Sequence, residues 1–217
     1  GIMGSHLSLM APTAPSIAVY AYVDVLDQIQ YLQELGTSRF LKTVKANDTD
    51  GSIVIKVFIK PDDNMELSHW RKVLDEQKAK LIDIPSVLPY LKIIETDRAG
   101  YLIRQFIKTN IYDRISTRPF LEDVEKKWMI FQLLNTLNEC HEQGITHGDI
   151  KTENILVTTW NWILLSDFAP FKPVFLPEDN PGSFSFFFDT SQIRTCYLAP
   201  ERFLNNDDYT PEFNNYA

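Results

Sequence analysis

The sequence is poor in cysteine and in positive charge, and it contains no long apolar run. Its 217 residues include two cysteines, Cys140 and Cys196, which are too few for a disulfide framework and lack metal-ligand spacing. A reducing, intracellular compartment is the simplest reading of this usage. The 21 Lys and Arg residues against 29 Asp and Glu give a net charge of −8, which argues against a nucleic-acid partner. The sequence contains no stretch of about 18 apolar residues, so it predicts no membrane span.

Hydrophobic residues make up 44% of the chain and aromatic residues 12%, which is enough for a substantial core. In the first half, the β-branched run over 53–59 predicts a buried strand, and 101–106 predicts another. Between them, apolar residues at three- and four-residue steps predict a helix over 65–82. The first half is therefore predicted to be rich in strands.

The second half has a different pattern. The segment 124–141 predicts a helix whose apolar face contains Trp128, Phe131, Leu134, Leu137 and Cys140. Two short apolar strands, 155–157 and 163–165, follow it around a turn that contains two tryptophans. A sheet-rich lobe followed by a mainly helical lobe predicts an α+β architecture.

The N-terminus carries a candidate lipidation signal. Gly1 and Ile2 precede Met3 and look like a tag remnant, and the run from Met3 to Ser8 fits the N-myristoylation motif, with Gly4 as the acceptor. Met-Gly-Ser-His is also a common vector sequence, so the motif alone leaves both readings open. We interpret 1–28 as tag remnant, myristoylation signal and Pro-containing linker.

Four elements in a fixed order carry the chemistry. Lys56 lies on a predicted strand, and it is followed by His-Gly-Asp-Ile-Lys-Thr-Glu-Asn at 147–154, Asp-Phe-Ala at 167–169 and Ala-Pro-Glu at 199–201. This order resembles that of the protein kinases, whose signature set is the strand lysine, H-R-D-x-x-x-x-N, D-F-G and A-P-E. The resemblance implies a bilobal kinase-like fold.

The resemblance also implies roles for charged residues. Phosphoryl transfer needs positioning and charge neutralisation more than covalent work by the protein. Lys56 would hold the α- and β-phosphates, aligned by Glu76, with Asp75 as the alternative partner. Asp149 would orient the acceptor hydroxyl, and Lys151 would lie near the γ-phosphate, which makes these two the predicted catalytic residues.

The same resemblance implies a nucleotide and a metal ion. Asn154 and Asp167 would ligate Mg²⁺, a cation that prefers oxygen ligands. The base of ATP or GTP would lie between Val54 and Leu156. Its edge would meet main-chain groups of the segment that joins the lobes, at Arg104, Gln105 and Phe106.

The departures from the kinase pattern matter as well. The segment 35–43 stands in place of the glycine-rich loop and keeps only Gly36, so ordinary cradling of phosphates is in doubt. Gly148 replaces the arginine of H-R-D, which removes a cation that would pair with a phosphorylated loop. Ala169 replaces the glycine of D-F-G and restricts a backbone flip.

Three functional readings therefore stay open. The departures favour a pseudokinase that holds Mg²⁺-nucleotide to stabilise a conformation. The intact lysine, aspartate and asparagine positions favour a working Ser/Thr protein kinase. A remote alternative is a small-molecule phosphotransferase, since His-Gly-Asp followed by Asn154 also occurs there, although Lys151 and the Ala-Pro-Glu at 199–201 favour the protein-kinase side.

A closer resemblance extends over most of the chain. The runs that carry it are 38–42, 112–120, 147–167, 176–181 and 194–203. They look like the protein-kinase-like regulatory subunits of class III phosphatidylinositol 3-kinase complexes, in a fungal form. The resemblance divides the chain into an N-lobe over 29–109 and a partial C-lobe over 110–217, apparently truncated.

This family resemblance implies partners and a location. The expected partners are the lipid kinase catalytic subunit and, through the wider complex, a Beclin-type coiled-coil subunit. An N-myristoyl group on Gly4 would attach the protein peripherally to the cytoplasmic face of endosome, Golgi and autophagosomal membranes. The expected role is control of lipid kinase activity and membrane recruitment in autophagy and endosomal sorting.

Two aromatic groups complete the sequence-based expectations. Trp160 and Trp162 read as core or hairpin packing, or alternatively as a surface for a partner. Phenylalanines at 184 and 186–188 fall in the predicted activation segment, 167–201, and favour an ordered segment packed against the body. The alternative for these phenylalanines is docking onto the lipid kinase.

Overall fold

The computed structural model describes residues 18–188 and 196–204, and the structural statements below refer to these two ranges. The predicted lipidation site Gly4 lies outside the described residues, together with most of the predicted segment 1–28. The central part of the predicted activation segment, 189–195, also lies outside them.

The first lobe is built on a five-stranded antiparallel sheet. Its strands are β1 (Gln30–Thr37), β2 (Lys42–Asp48), β3 (Gly51–Ile59), β5 (Lys92–Glu95) and β6 (Ala99–Gln105), in the order β1-β2-β3-β6-β5. The strand predicted over 53–59 is confirmed within β3, and the strand predicted over 101–106 is confirmed as β6, which ends one residue earlier.

One face of this sheet carries its own hydrophobic core. The short helix α1 (Tyr20–Val23) packs there against buried side chains of β2, β3 and β6, including Ile55 and Tyr101. The Tyr101 hydroxyl donates a 2.6 Å hydrogen bond to the carbonyl oxygen of Tyr22, which ties the helix to the sheet. Because side chains alternate along a strand, the opposite face, which carries Lys56, remains for the cleft between the lobes.

Helix α2 (Ser68–Leu81) crosses beside the sheet and confirms the helix predicted over 65–82. It begins three residues later than predicted. The reason is local, because the Met65 amide donates to the carbonyl of Asp62 in a turn, and the Leu67 amide donates to the side chain of Glu95.

The second lobe combines helices with small sheets. Helices α3 (Ile111–Ile115) and α4 (Asp123–Glu142) lie beside a four-stranded sheet made of β4 (Val87–Leu88), β9 (Ile163–Ser166), β8 (Ile155–Val157) and β7 (Thr109–Asn110). Strands β8 and β9 confirm the predicted pair. Beyond them come β10 (Leu176–Pro177), α5 (Pro181–Phe187) and β11 (Phe203–Leu204), with β10 parallel to β11. The predicted α+β bilobal architecture is confirmed.

Helix α4 confirms the helix predicted over 124–141, but three of the five residues on its apolar face are not buried. Trp128, Phe131 and Leu134 are 36%, 56% and 61% exposed, whereas Met129, Gln132, Thr136 and Cys140 form the buried strip. Polar contacts select this strip: the side chain of Gln132 accepts from the Ile163 amide and donates to the Asn161 carbonyl, and Thr136 donates to Gln132. Hydrophobic spacing could not reveal these bonds, since α4 is apolar on several sides.

The surface near this helix also gathers the two tryptophans of the β8–β9 turn. Trp160 and Trp162 are exposed, and Trp162 contacts Trp128 edge-on with ring centroids 5.1 Å apart. The interpretation of these two tryptophans as core residues is therefore wrong, and the alternative of a surface for a partner stays a prediction. Within 18–188 and 196–204, every helix is too short or too polar to cross a membrane.

Candidate active site

A cleft of about 220 Å³ between the lobes collects most of the predicted charged residues. From the first lobe it is lined by Gly36, Lys56 and Arg104. From the second lobe it is lined by Asp149, Lys151, Asn154 and Asp167. Residues that are far apart along the chain thus meet in one space, as the kinase resemblance implies.

The loop before β8 is held by His147. The ring Nε2 lies 2.7 Å from the Ser166 carbonyl oxygen, and the Asp149 amide donates to Nδ1 over 3.1 Å. Because Nδ1 accepts, the ring proton belongs on Nε2, which donates to Ser166. Burial lowers the pKa of His147 and favours this neutral form. The ring therefore fixes the backbone of Asp149 relative to the strand that precedes Asp167.

Gly148 occupies the arginine position of H-R-D for a steric reason. Its φ is +87°, in the left-handed region that favours glycine, and a Cβ there would come within 2.6 Å of the Ala169 carbonyl oxygen. The two loops approach so closely that a side chain at 148 would push them apart. The missing arginine is thus a consequence of how these loops pack.

Asp149, the predicted catalytic base, is surrounded by groups of the chain itself. Lys172 Nζ lies 2.7 Å from Oδ2, Lys151 Nζ lies 3.4 Å from Oδ2, and the Tyr197 hydroxyl donates to Oδ1 over 2.6 Å. Burial opposes ionisation of this carboxyl, but Lys172 and Lys151 outweigh it and lower the pKa of Asp149 to about 2. The carboxylate is therefore ionised and has partners on both oxygens.

Two of these partners were missed by sequence reasoning. Lys172 lies next to Lys151 with most of its side chain out of contact with solvent, and this burial lowers its pKa to about 8 although Asp149 opposes the shift. Burial, and then the charge of Asp149, raise the pKa of Tyr197, whose hydroxyl also lies 3.1 Å from the Phe188 carbonyl oxygen. Both residues belong to the predicted activation segment, 167–201, and that membership was the one signal in the sequence.

Sequence reasoning also missed Arg202, which connects the end of this segment to the loop at 147–154 that carries Asp149. Its guanidinium donates to three carbonyl oxygens, those of Val174 (2.8 Å), Pro173 (2.8 Å) and Gly148 (3.0 Å). It also lies over the ring of the buried Phe188, with Cζ 5.0 Å from the centroid. The arginine follows the Ala-Pro-Glu motif directly, and its contacts depend on chain segments that are distant in sequence.

Asp167 is paired by Arg104 and Lys56. The Arg104 side chain makes a two-pronged contact, with Nε 2.7 Å from Oδ1 and Nη2 3.0 Å from Oδ2. Lys56 Nζ lies 3.5 Å from Oδ2. Burial opposes ionisation of Asp167, yet Arg104 and then Lys56 hold its pKa below the usual range. Arg104 was predicted to offer its main chain to a base, and the structure instead directs its side chain to the predicted metal ligand.

The structure does not bring Glu76 to the site. Both Glu76 and the alternative Asp75 are exposed on α2, and neither lines the cleft. Leu74 and Leu81 occupy the buried side of this helix, which turns the two carboxylates outward. The prediction that Glu76 aligns Lys56 is wrong here, because Asp167 is the carboxylate beside that lysine.

The predicted base-binding residues are placed less directly. Ile53 and Ile55 in β3, and Ile155 and Val157 in β8, pack into the cores of their lobes. By alternation, Val54 and Leu156 lie on the opposite faces of their strands, where both are buried, but neither lines the cleft.

The segment that joins the lobes differs from the prediction. Gln105 is exposed and pairs with Ile53 in the sheet, and the Phe106 amide donates to the Ser52 carbonyl. Neither Gln105 nor Phe106 lines the cleft. The Phe106 amide is therefore not available to the edge of a base, because the sheet continues further into this segment than the resemblance implies.

The loop that replaces the glycine-rich loop is closed by Ser38. Its hydroxyl donates to the Leu41 carbonyl over 2.7 Å and accepts from the Leu41 amide over 3.0 Å. At the tip, the ring of Phe40 packs against Phe187 of α5 (centroids 5.1 Å) and Phe171 (5.9 Å). The expectation that the phenylalanines of the activation segment pack against the body is confirmed for Phe187 and the buried Phe188, whereas Phe186 is 39% exposed.

The residues fit a metal ion only in part. The Asn154 side chain donates from Nδ2 to the Asp149 carbonyl oxygen over 2.8 Å, so Oδ1 is the atom that could bind a cation. Asp167 has the right chemistry, but both of its oxygens contact Arg104. Among residues 18–188 and 196–204 there is no group of three or more His, Cys, Asp or Glu side chains that could hold a metal.

Comparison with known proteins agrees with this geometry. The family model described as "Protein kinase domain" matches residues 29–217. The chain is 59% identical over 202 residues, 93% of its length, to "Serine/threonine-protein kinase VPS15" of Saccharomyces cerevisiae (strain ATCC 204508 / S288c), and it covers 14% of that relative. It is 55% identical over 93% of its length to "Putative serine/threonine-protein kinase VPS15" of Komagataella pastoris, covering 15% of it. It is 49% identical over 81% of its length to the VPS15 kinase of Arabidopsis thaliana, covering 12% of it. This chain belongs to the protein kinase domain family.

Proposed function

We propose that this chain is a regulatory nucleotide-binding domain, in which a bound nucleotide stabilises a conformation and phosphate is not passed to a protein substrate. The observation that carries the proposal is the state of Asp149, whose two oxygens contact Tyr197 and Lys172. A substrate hydroxyl needs that carboxylate within hydrogen-bond reach. Here the hydroxyl of Tyr197 already takes that position.

The cleft nevertheless keeps what a nucleotide needs. Seven charged residues line it, of which Lys56, Arg104, Lys151 and Lys172 are cationic and Asp149, Glu153 and Asp167 are acidic. Four positive against three negative charges leave a formal surplus of +1, in a chain whose net charge is −8. A cationic cleft in an acidic protein attracts an anionic ligand such as a nucleoside triphosphate.

When Mg²⁺ accompanies the nucleotide, it neutralises phosphate charge, and Asn154 is the residue best disposed to meet it. Lys56 and Lys151 would contact phosphate oxygens from the two lobes. Val54 and Leu156, which are buried on the strand faces opposite the two hydrophobic cores, would enclose the base.

A working Ser/Thr protein kinase is the second candidate. It is favoured by the presence of Lys56, Asp149, Lys151, Asn154 and Asp167 in one cleft. In that case the contacts of Tyr197 and Lys172 would have to open before a substrate hydroxyl could reach Asp149.

One experiment separates the two candidates. Thermal shift with ATP and with GTP measures binding, and transfer of labelled γ-phosphate measures catalysis, for the wild type beside Asp149→Ala. We expect nucleotide binding in both proteins and equal, background phosphate transfer. Transfer that disappears with Asp149→Ala would establish the kinase, and absence of any nucleotide effect on the wild type would refute both candidates.

We further propose that the domain serves a class III phosphatidylinositol 3-kinase as part of its regulatory subunit. The proposal rests on the family resemblance in the sequence and on the relatives named VPS15. It includes binding to the lipid kinase catalytic subunit, to a Beclin-type subunit through the wider complex, and to endosome, Golgi and autophagosomal membranes. Co-purification of lipid kinase activity with the natural protein tests the partner.

The membrane part of the proposal depends on Gly4. With Met3 as the initiator, Gly4→Ala should abolish incorporation of a myristate analogue and shift the protein from the membrane fraction to the soluble fraction. Because one myristoyl chain gives only marginal binding, a part of the protein should remain on membranes if partners also hold it. Equal incorporation of the analogue by wild type and Gly4→Ala would refute the lipidation.

A further inference from the structure

The contact between Arg104 and Asp167 conflicts with the metal role that the kinase fold implies for this aspartate. Mg²⁺ requires oxygen ligands in near-octahedral geometry, and a carboxylate supplies them only if an oxygen faces the ion. In this chain both oxygens of Asp167 face a guanidinium, at 2.7 and 3.0 Å. The planar fork of arginine matches a carboxylate in just this two-pronged way.

Arg104 is held in place independently of Asp167. Its Nη1 donates to the Gln105 carbonyl oxygen over 3.0 Å, and its Cα lies in the β3–β6 ladder opposite Val54. The side chain is buried, as is that of Asp167. Separating them would leave a buried guanidinium without its carboxylate, which is strongly unfavourable because the charge could not be solvated.

The other carboxylates that line this cleft are Glu153 and Asp149, and Asp149 is already paired with Lys172 and Lys151. Lys56 lies on the same side, 3.5 Å from Oδ2, and the buried Tyr90 is next to Asp167. Asn154 contributes one amide oxygen. A divalent cation would therefore meet two fixed positive charges and an already paired carboxylate.

We propose that Arg104 is a positioning residue that takes the place of the Asp167-bound magnesium, so that the cleft binds a nucleoside triphosphate with little dependence on divalent cations. The inference rests on the proposed nucleotide binding. Arg104 keeps Asp167 neutralised, and the cationic surplus of the cleft, through Lys56, Lys151 and Lys172, meets the phosphates directly.

The test measures the metal dependence of binding, in the full natural protein separated from any subunit that itself binds ATP. ATP and GTP are titrated calorimetrically in excess Mg²⁺ and in excess EDTA at equal ionic strength. For the wild type we expect the dissociation constant of the better nucleotide to differ by less than about threefold between the two conditions. For Arg104→Met, which frees Asp167 for a cation, we expect binding in EDTA to be weaker than in Mg²⁺ by about tenfold or more.

Arg118→Met is the matched control, because Arg118 is exposed and lies over Phe120, and it should retain the wild-type ratio. If Arg104→Met does not fold, Arg104→Lys is measured instead, because lysine keeps the charge but cannot make the two-pronged contact. Its ratio of dissociation constants in EDTA and in Mg²⁺ should lie between the wild-type ratio and the ratio of about tenfold for full metal dependence. The ratio is the informative quantity, because a merely structural loss would weaken binding equally in both conditions.

Each other outcome overturns a specific statement. Wild-type binding that EDTA weakens about tenfold or more overturns the role of Arg104 and leaves nucleotide binding intact. If Arg104→Met folds but binds no nucleotide in either condition, Arg104 contacts the nucleotide directly. This result also overturns the proposed positioning role of Arg104. Failure of the wild type to bind ATP or GTP in both conditions refutes the proposed function itself.

Discussion

Replacing Gly148 with alanine tests the close approach of the two loops that carry Asp149 and Asp167. The added Cβ would meet the Ala169 carbonyl oxygen at 2.6 Å, and the residue would have to adopt a φ of +87°. The left-handed conformation costs a non-glycine residue about 1–2 kcal/mol. Relieving a contact with a backbone atom adds about 1–3 kcal/mol, as for overpacked cores. We therefore expect Gly148→Ala to lower the free energy of unfolding by about 2–5 kcal/mol.

Other glycines of the chain separate the two contributions. Gly144 has a φ of +70°, and no atom lies within 4 Å of the point that a Cβ would occupy, so Gly144→Ala should show only the conformational cost of about 1–2 kcal/mol. Gly36 has neither a positive φ nor a close neighbour, so Gly36→Ala should be close to neutral in stability.

The assay is thermal unfolding of the three variants beside the wild type. For a chain of this size, about 1 kcal/mol corresponds to roughly 2–4 °C in Tm, so Gly148→Ala should melt roughly 10 °C below the wild type. Gly144→Ala should melt roughly 4 °C below it. Equal losses for Gly148→Ala and Gly144→Ala would refute the steric explanation for the glycine in place of the H-R-D arginine.

Three further predictions follow from the site. Glu76→Ala should leave the dissociation constant of the nucleotide unchanged within about twofold, whereas Lys56→Ala should raise it about tenfold or more, as titration calorimetry would show; a large effect of Glu76→Ala would mean that α2 turns toward Lys56. Arg202→Met should lower the free energy of unfolding by about 1–3 kcal/mol, because three carbonyl oxygens lose their donor. The measurement is urea unfolding beside the surface variant Lys126→Met, and a loss no greater than that of Lys126→Met would contradict the prediction. The pKa of Lys172 is about 8 in the folded chain and 10.5 ordinarily, so the unfolded chain binds more protons between pH 8 and 10.5. The free energy of unfolding of the wild type should therefore rise with pH in this range relative to that of Lys172→Met. Parallel pH profiles of the two proteins would refute the lowered pKa of Lys172.

Local sequence patterns predicted where helices and strands lie better than they predicted which side chains of α4 are buried. The β-branched run in β3 and the apolar spacing of α2 and α4 were sufficient to place one strand and two helices, because these signals act within a few residues. The buried side of α4 was not predictable, since Gln132 and Thr136 are buried through bonds to the β8–β9 turn and within the helix. Hydrophobic periodicity does not register polar residues that find partners in the core.

The candidate site shows the same division. The motif order identified Lys56, Asp149, Asn154 and Asp167 as neighbours, and the structure brings them into one cleft. The motif could not indicate that Arg104 turns its side chain inward, because a residue between the lobes has no local signal for a partner that lies 63 positions away.

The sequence by itself determined the kinase family, the α+β architecture and several of the charged residues that meet in the cleft, because these follow from short motifs and local periodicity. The scarcity of positive charge over the whole chain said nothing about the concentration of cations in one place. Only the tertiary structure decided that Tyr197 and Lys172 contact Asp149, and that Arg104 pairs with Asp167. Such pairings join segments that are far apart along the chain, and they depend on burial and on the direction of each side chain, which are set when the lobes and the activation segment pack together.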